Sequence, residues 1–276
     1  MNAEHRRIRA TPGPKECGAQ AHPGVKHPVE QKRKISIAVE HGRKEQTLAG
    51  SLSERLADIN GRIARAALKS GRRPENVQLV AVTKMIPVDL LAEAISCGIK
   101  VFGENRVQDF LAKHEAWGDR VEWHLIGHLQ QNKVKYLVEK VGLIHSLDSL
   151  DLARRLDSLS ESGGRPWRVL VQVNVAGEAT KHGLAPEEVP AFLDEIRSLQ
   201  GLKVSGLMTI APYVENPEAV RLVFRKLRLL RDEVLLDRPW LNLQQLSMGM
   251  SNDFEIAIEE GATMVRIGSA LFGYQE

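Results

Sequence analysis

Eight short apolar runs, rich in β-branched residues and each followed by a stretch with helical spacing, constrain this chain more than any other feature. The runs are Gln78–Thr83, Lys100–Phe102, Val121–Ile126, Leu143–Leu147, Trp167–Asn174, Leu202–Ile210, Leu243–Ser247 and Thr263–Ile267. Helical patterns lie between them at Val88–Ser96, Arg106–Trp117, Gln130–Lys140, Leu150–Ser160, Pro186–Leu199, Pro217–Leu235 and Asp253–Glu260. Near-continuous apolar strands alternating with helices mean parallel strands buried on both faces. About eight β/α units fit a closed (β/α)8 TIM barrel better than an open doubly wound sheet, although an open sheet satisfies the same periodicity. Order is expected to begin near Ser51, where Leu52, Leu56, Ile59, Ile63 and Ala67 recur at helical spacing until Gly71. The barrel domain is therefore expected over residues 51–276.

Residues 1–50 read differently. Pro12, Pro14, Pro23 and Pro28 interrupt any helix, and the only apolar cluster is Ile35–Val39. This stretch is expected to be a basic, mostly disordered leader, either without a role or acting as a targeting or interaction tail. It holds ten Lys or Arg against five Glu, while the rest of the chain holds 28 against 30. The basic character thus belongs to the leader, and the domain lacks the basic balance that nucleic-acid binding would call for. No apolar run is long enough to cross a membrane, and the arginines near the start precede no apolar block of a secretory signal. Cys17 and Cys97, the only cysteines, build neither a disulfide framework nor a metal site, so a cytoplasmic location and no metal are expected. Nothing in the sequence marks an unusual apolar surface, and a monomer is expected.

In parallel barrels, chemistry gathers where strands end and βα loops begin. Lys84 closes the run Leu79–Thr83. An amine there is either partly desolvated and a good carbonyl nucleophile or an aliphatic stem that carries its charge out to water. Ser251 and the pair Gly268–Ser269 follow the seventh and eighth runs. They offer what a phosphate monoester needs, namely close backbone N–H groups, hydroxyls and a helix start, or they are two ordinary helix caps. Arg266, two residues before Gly268, should point into the barrel and must find an acceptor, whether a pyridine nitrogen or a structural carboxylate. His124 reads as a hydrogen-bonded core or rim residue rather than a metal ligand. No Walker loop, Gly-x-Gly-x-x-Gly loop or Gly-x-Ser-x-Gly elbow follows any run.

From Ser51 to Gly273 the chain resembles the YggS/PROSC family of pyridoxal phosphate homeostasis proteins. The resemblance rests on motifs in order, among them Val80–Lys84, Phe102–Asn105, the segment Trp123–Lys133, Ile144–Asp148, Val171–Asn174, Gly206–Met208, Leu246–Ser251 and Val265–Gly268. It implies a barrel like the N-terminal domain of alanine racemase and pyridoxal 5′-phosphate (PLP) held as a Schiff base on Lys84. It also implies that Ser251 and the backbone at Gly268 and Ser269 hold the phosphate, that Arg266 faces the pyridine nitrogen, and that Asn105, Asn174 and Met248 line the pocket. Two departures stand out: Thr83-Lys84-Met85 replaces Ser-Lys-Thr, and His128 stands in place of proline. The leader has no counterpart in the family.

Arginine at the ring nitrogen disfavours its protonation and weakens PLP as an electron sink. Racemisation needs an acid/base group on each face of the α-carbon, and no equivalent of the tyrosine-bearing second domain of alanine racemases is expected. Tyr136, Tyr213 and Tyr274 lie at no evident strand end. The expected function is a non-catalytic PLP carrier that supplies the cofactor to apo-enzymes. An amino-acid racemase-like PLP enzyme and a Schiff-base aldolase on a sugar phosphate are the alternatives.

Overall fold

A computed structural model of the protein describes residues 50–160, 164–178 and 180–274; the leader lies outside them. The apolar runs become eight strands: β1 Gln78–Val82, β2 Val101–Glu104, β3 Glu122–Leu125, β4 Leu143–Leu147, β5 Trp167–Gln172, β6 Leu202–Met208, β7 Gln245–Ser247 and β8 Met264–Ile267. All neighbours pair in parallel, and β1 returns to β8 with Ala81 opposite Ile267, closing the barrel. Closure removes the open-sheet alternative that periodicity left standing.

The helices are α1 Leu52–Lys69, α2 Leu91–Ser96, α3 Val107–Trp117, α4 Leu150–Ser160, α5 Val189–Glu195, α6 Arg221–Asp237, α7 Phe254–Glu259 and α8 Ser269–Phe272. The crossover from β3 to β4 departs from the expected helix over Gln130–Lys140. Only Gln131–Tyr136 is helical, as a 3₁₀ segment. Its anchors Val134 and Leu137 are fully buried and three residues apart, the repeat of a 3₁₀ turn rather than of an α-helix.

Strand alternation sorts side chains into two compartments. Val80, Val101, Leu143, Leu170, Met208 and Met264 fill the barrel interior. Residues one position away, such as Ala81, Phe102, Ile144, Val171 and Val265, pack outward under the helices. Full burial of each large apolar side chain contributes roughly 1.5–3 kcal/mol. Because α8 is a single turn, α1 covers the seam between β8 and β1, packing on α7 and α8. Ser51 and Glu54 form the capping box that starts α1. Arg62 fixes it to α7 with a two-pronged contact to Glu255 at 3.0 and 2.7 Å. Among the described residues no helix is long and apolar enough to cross a membrane.

Candidate functional site at the barrel mouth

The β1–β8 register brings the residues after both strands to one sector of the mouth. At Gly268 a Cβ would lie 3.1 Å from the Val82 Cβ and 3.2 Å from the Val82 carbonyl oxygen. Glycine therefore lets the β8 loop press against the end of β1, two residues before Lys84. Lys84 itself is half-buried. Across the same sector the Ser269 hydroxyl donates to the Ser251 Oγ (3.0 Å), which also accepts the Ala270 N–H (3.3 Å). The loop carrying Ser251 is folded by Asp253, whose carboxylate accepts the Met250 N–H at 2.6 Å. Burial pushes that carboxyl above its usual range. Neither serine is the N-cap residue of a helix, contrary to the simpler reading: Gly268 precedes α8 and Asp253 precedes α7, while the Ser251 hydroxyl reaches α8 from the neighbouring loop and gathers with Ser269 beside the Gly268 backbone.

Lys84 sits in a tight turn. The Ile86 N–H bonds the Thr83 carbonyl at 3.0 Å, and Met85 takes a left-handed φ of 67°, a conformation that favours Gly or Asn. The turn is held from below by a buried ion pair. Lys113 donates to the Thr83 carbonyl (2.6 Å) and to Glu104 Oε1, which also accepts the Thr83 hydroxyl (2.6 Å). Glu104 is fully buried and Lys113 nearly so. The sequence reading missed Lys113. The available signal was its place three residues after Phe110 and six after Val107, on the buried face of α3; a lysine there must find a carboxylate.

Arg266 points into the barrel, as alternation requires, and is 4% exposed. Its hydrogen bonds go to the Ser247 hydroxyl (2.7 Å) and the Thr209 carbonyl (2.9 Å). Among the described residues no carboxylate pairs with it directly; a hydroxyl and a carbonyl stand in place of the structural ion pair that the sequence left open. Desolvation, partly offset by the charge of Asp253, lowers its pKa to about 10, so it remains a cation at neutral pH.

From Ser247 a polar column crosses the barrel. With both histidines neutral and the Glu122 carboxylate only accepting, the direction of the column is set from that end: the Ser247 hydroxyl accepts from Arg266 and donates to His145 Nδ1 (2.9 Å). His145 then donates from Nε2 to His124 Nδ1 (3.0 Å), and His124 donates from Nε2 to Glu122 (3.1 Å). Arg168 closes the far end on Glu122 at 3.3 Å. Burial holds His145 well below the ordinary histidine pKa and His124 below it. Both are therefore neutral, each with its proton on Nε2. His124 is the hydrogen-bonded core residue that the sequence implied; His145 was not singled out.

The remaining expected pocket residues fall out differently. Asn105 is exposed at the mouth, and its backbone lies so close to Gly127 that a Cβ there would sit 2.2 Å from the Asn105 oxygen. Asn174 uses its amide to close its own loop, donating to the Glu178 and Lys181 carbonyls at 2.9 and 3.4 Å. The Met248 side chain is fully buried in the layer between barrel and helices, so it does not face the mouth; the residue aimed inward is its neighbour Ser247. Tyr274, assigned no place by sequence, returns to the phosphate-like sector, its hydroxyl 2.6 Å from where a Gly268 Cβ would stand.

Against known proteins, the family described as alanine racemase, N-terminal domain, matches residues 57–276. A pyridoxal phosphate homeostasis protein of Aquifex aeolicus is 51% identical over 222 residues, covering 80% of this chain and 96% of its own. That of Pseudomonas aeruginosa is 42% identical, covering 82% and 96%. The structure of PipY of Synechococcus elongatus PCC7942 with PLP bound superposes with a TM-score of 0.72 at 37% identity, over 81% of this chain and all of that one.

Proposed function

The chain belongs to the family of pyridoxal phosphate homeostasis proteins, and from that premise we propose that it binds PLP at the β7–β8–β1 sector and keeps it for release to apo-enzymes. One observation carries the assignment of the site. The loop at Gly268, where a Cβ would crowd Val82 and Tyr274, stands beside the hydroxyls of Ser251 and Ser269 and next to the end of β1, two residues before Lys84. Hydroxyls, close backbone and a helix start suit a phosphate dianion, and the amine of a half-buried lysine suits a carbonyl.

The residues then divide the work. Ser251, Ser269 and the backbone of Gly268 would hold the phosphate. Lys84 would anchor the carbonyl carbon, and the Lys113–Glu104–Thr83 cluster holds its turn in place. Arg266, steadied by Ser247 and Thr209, would face the ring nitrogen. When bound, PLP supplies an electrophilic carbonyl and an electron sink, and a guanidinium at its ring leaves that sink weak. The column from Ser247 to Glu122 ends every donor on an acceptor, and the charge of Asp253 favours the cationic form of Arg266.

Turnover needs a second proton-transfer group facing Lys84 across the substrate. Tyr136 and Tyr213 are surface residues, 43% and 84% exposed, and Tyr274 lies against Gly268. This supports a carrier rather than a racemase. The proposal includes a cytoplasmic location and a monomeric state. It is tested by mixing PLP-loaded protein with L- and D-amino acids in deuterated solvent and following the visible spectrum and exchange at Cα. A carrier shows no catalytic exchange; turnover at the rates of dedicated PLP enzymes would reject the reading.

A further inference from the structure

A second cluster occupies the opposite sector of the mouth. His128 follows β3, Asp148 follows β4, and His182 lies on the loop after β5. One ligand atom from each falls within 4.8 Å of the others. His128 Nδ1 and Asp148 Oδ2 are 3.3 Å apart. Two ligands held about 2.0–2.1 Å from a tetrahedral zinc ion are separated by about 3.3–3.4 Å, so this pair already has the spacing of a chelating edge.

Two further observations point to a cation. The Asp148 side chain is only 9% exposed, and among the described residues His128 is its sole polar contact. A carboxylate offers about four acceptor sites, so beyond its contact with His128 the Asp148 carboxylate keeps lone pairs for a cation. The loop that carries His182 is also fixed at its backbone. Gln172 donates to the His182 carbonyl (3.0 Å), and Asn174 ties the same loop at Glu178 and Lys181.

The geometry points to a divalent transition-metal site formed by His128, Asp148 and His182, taking Zn²⁺ with two imidazoles, one carboxylate and a fourth position open to the mouth. Imidazole and carboxylate ligands in a four-coordinate set suit this ion. The His128 and His182 rings are stacked, with centroids 3.9 Å apart and planes 11° apart, so their lone pairs run alongside each other. Both rings are exposed, so a shared ion would require His182 to turn about its side-chain torsions from the stacked arrangement. Occupancy would join the ends of β3 and β4 to the β5 loop. The site uses none of the residues assigned to PLP and does not depend on that assignment.

The test is a Co²⁺ titration of the full chain, free of PLP and loaded with it, followed by visible absorbance and by displacement with Zn²⁺. The expected result is one Co²⁺ per chain with the intense bands of a four-coordinate ion, displaced by one equivalent of Zn²⁺. Those bands should be lost in His182→Gln and in Asp148→Asn while both variants still load PLP, which reports that they fold. The leader keeps His5, His22, His27 and His41 in every variant, so binding there would survive the substitutions. Bands unchanged in both variants, or only the weak bands of a six-coordinate ion in the wild type, would overturn the proposal.

Discussion

The two sectors of the barrel mouth are built to opposite charge rules. Around β7, β8 and β1 the groups are hydroxyls, backbone donors, an arginine and a lysine, gathered where glycine lets loops touch. Around β3, β4 and β5 they are two imidazoles and a shielded carboxylate. The first collects donors for an anion, and the second collects lone pairs for a cation. Between them runs the column Arg266–Ser247–His145–His124–Glu122. Its donors all point one way, from the anion side toward Glu122. One barrel thus separates the proposed phosphate sector from a candidate metal site by a polar column whose members are all hydrogen-bonded.

The contrast can be sharpened by breaking one sector at a time. The largest effect is expected from Lys113→Ala. It leaves Glu104 buried without its cation, a loss of about 3–5 kcal/mol for a broken buried pair. Chemical denaturation should show that loss, and Lys113→Ala with Glu104→Gln should recover part of it. A loss below about 1 kcal/mol, the range of an exposed ion pair, would mean the cluster does not hold the Lys84 turn.

Ser251→Ala comes next. Removing one hydroxyl from a charged ligand costs about 1.5–3 kcal/mol, roughly 10- to 100-fold in the PLP dissociation constant measured by equilibrium dialysis. Co²⁺ binding should be unchanged in this variant, just as PLP loading should be unchanged in His182→Gln. Loss of both ligands from either variant would mean that the sectors are not independent.

The smallest effect concerns the column between them. The folded-state pKa values of His124 and His145 lie below the ordinary value of 6.5, so below that pH the unfolded chain binds more protons than the folded one. Stability is then complete above about pH 6.5 and falls as the pH drops beneath it, by up to about 1.4 kcal/mol per pH unit for each histidine. Thermal melts of the wild type and His145→Gln between pH 7 and pH 5 should show a shallower slope in the variant. Equal slopes would place the acid sensitivity elsewhere.

The sectors also differ in how far the sequence exposed them. Lys84, Ser251, Arg266 and Gly268 each lie at or just past an apolar run, so strand order alone brought them together. Met248 misled because the family motif names it, while strand alternation turns it outward and leaves Ser247 facing in. Lys113 was hidden because its partners, Glu104 and Thr83, come from two other elements. The metal candidates escaped the search for ligand spacing because they sit 20 and 34 residues apart on three loops, and only closure of the barrel makes them neighbours. Tyr274 was unplaceable for the same reason: β8 and the chain end meet β1 only when the sheet closes.

The central claim is that the amine of Lys84 is the anchor beside the Ser251, Gly268 and Ser269 loops. Borohydride reduction of PLP-loaded protein, with intact mass and peptide mapping of wild type and Lys84→Ala, tests it directly. The account predicts a single pyridoxyl phosphate adduct on the peptide containing Lys84, and none on the variant. An adduct of equal yield on Lys84→Ala, or one mapped to a different lysine in the wild type, would contradict it.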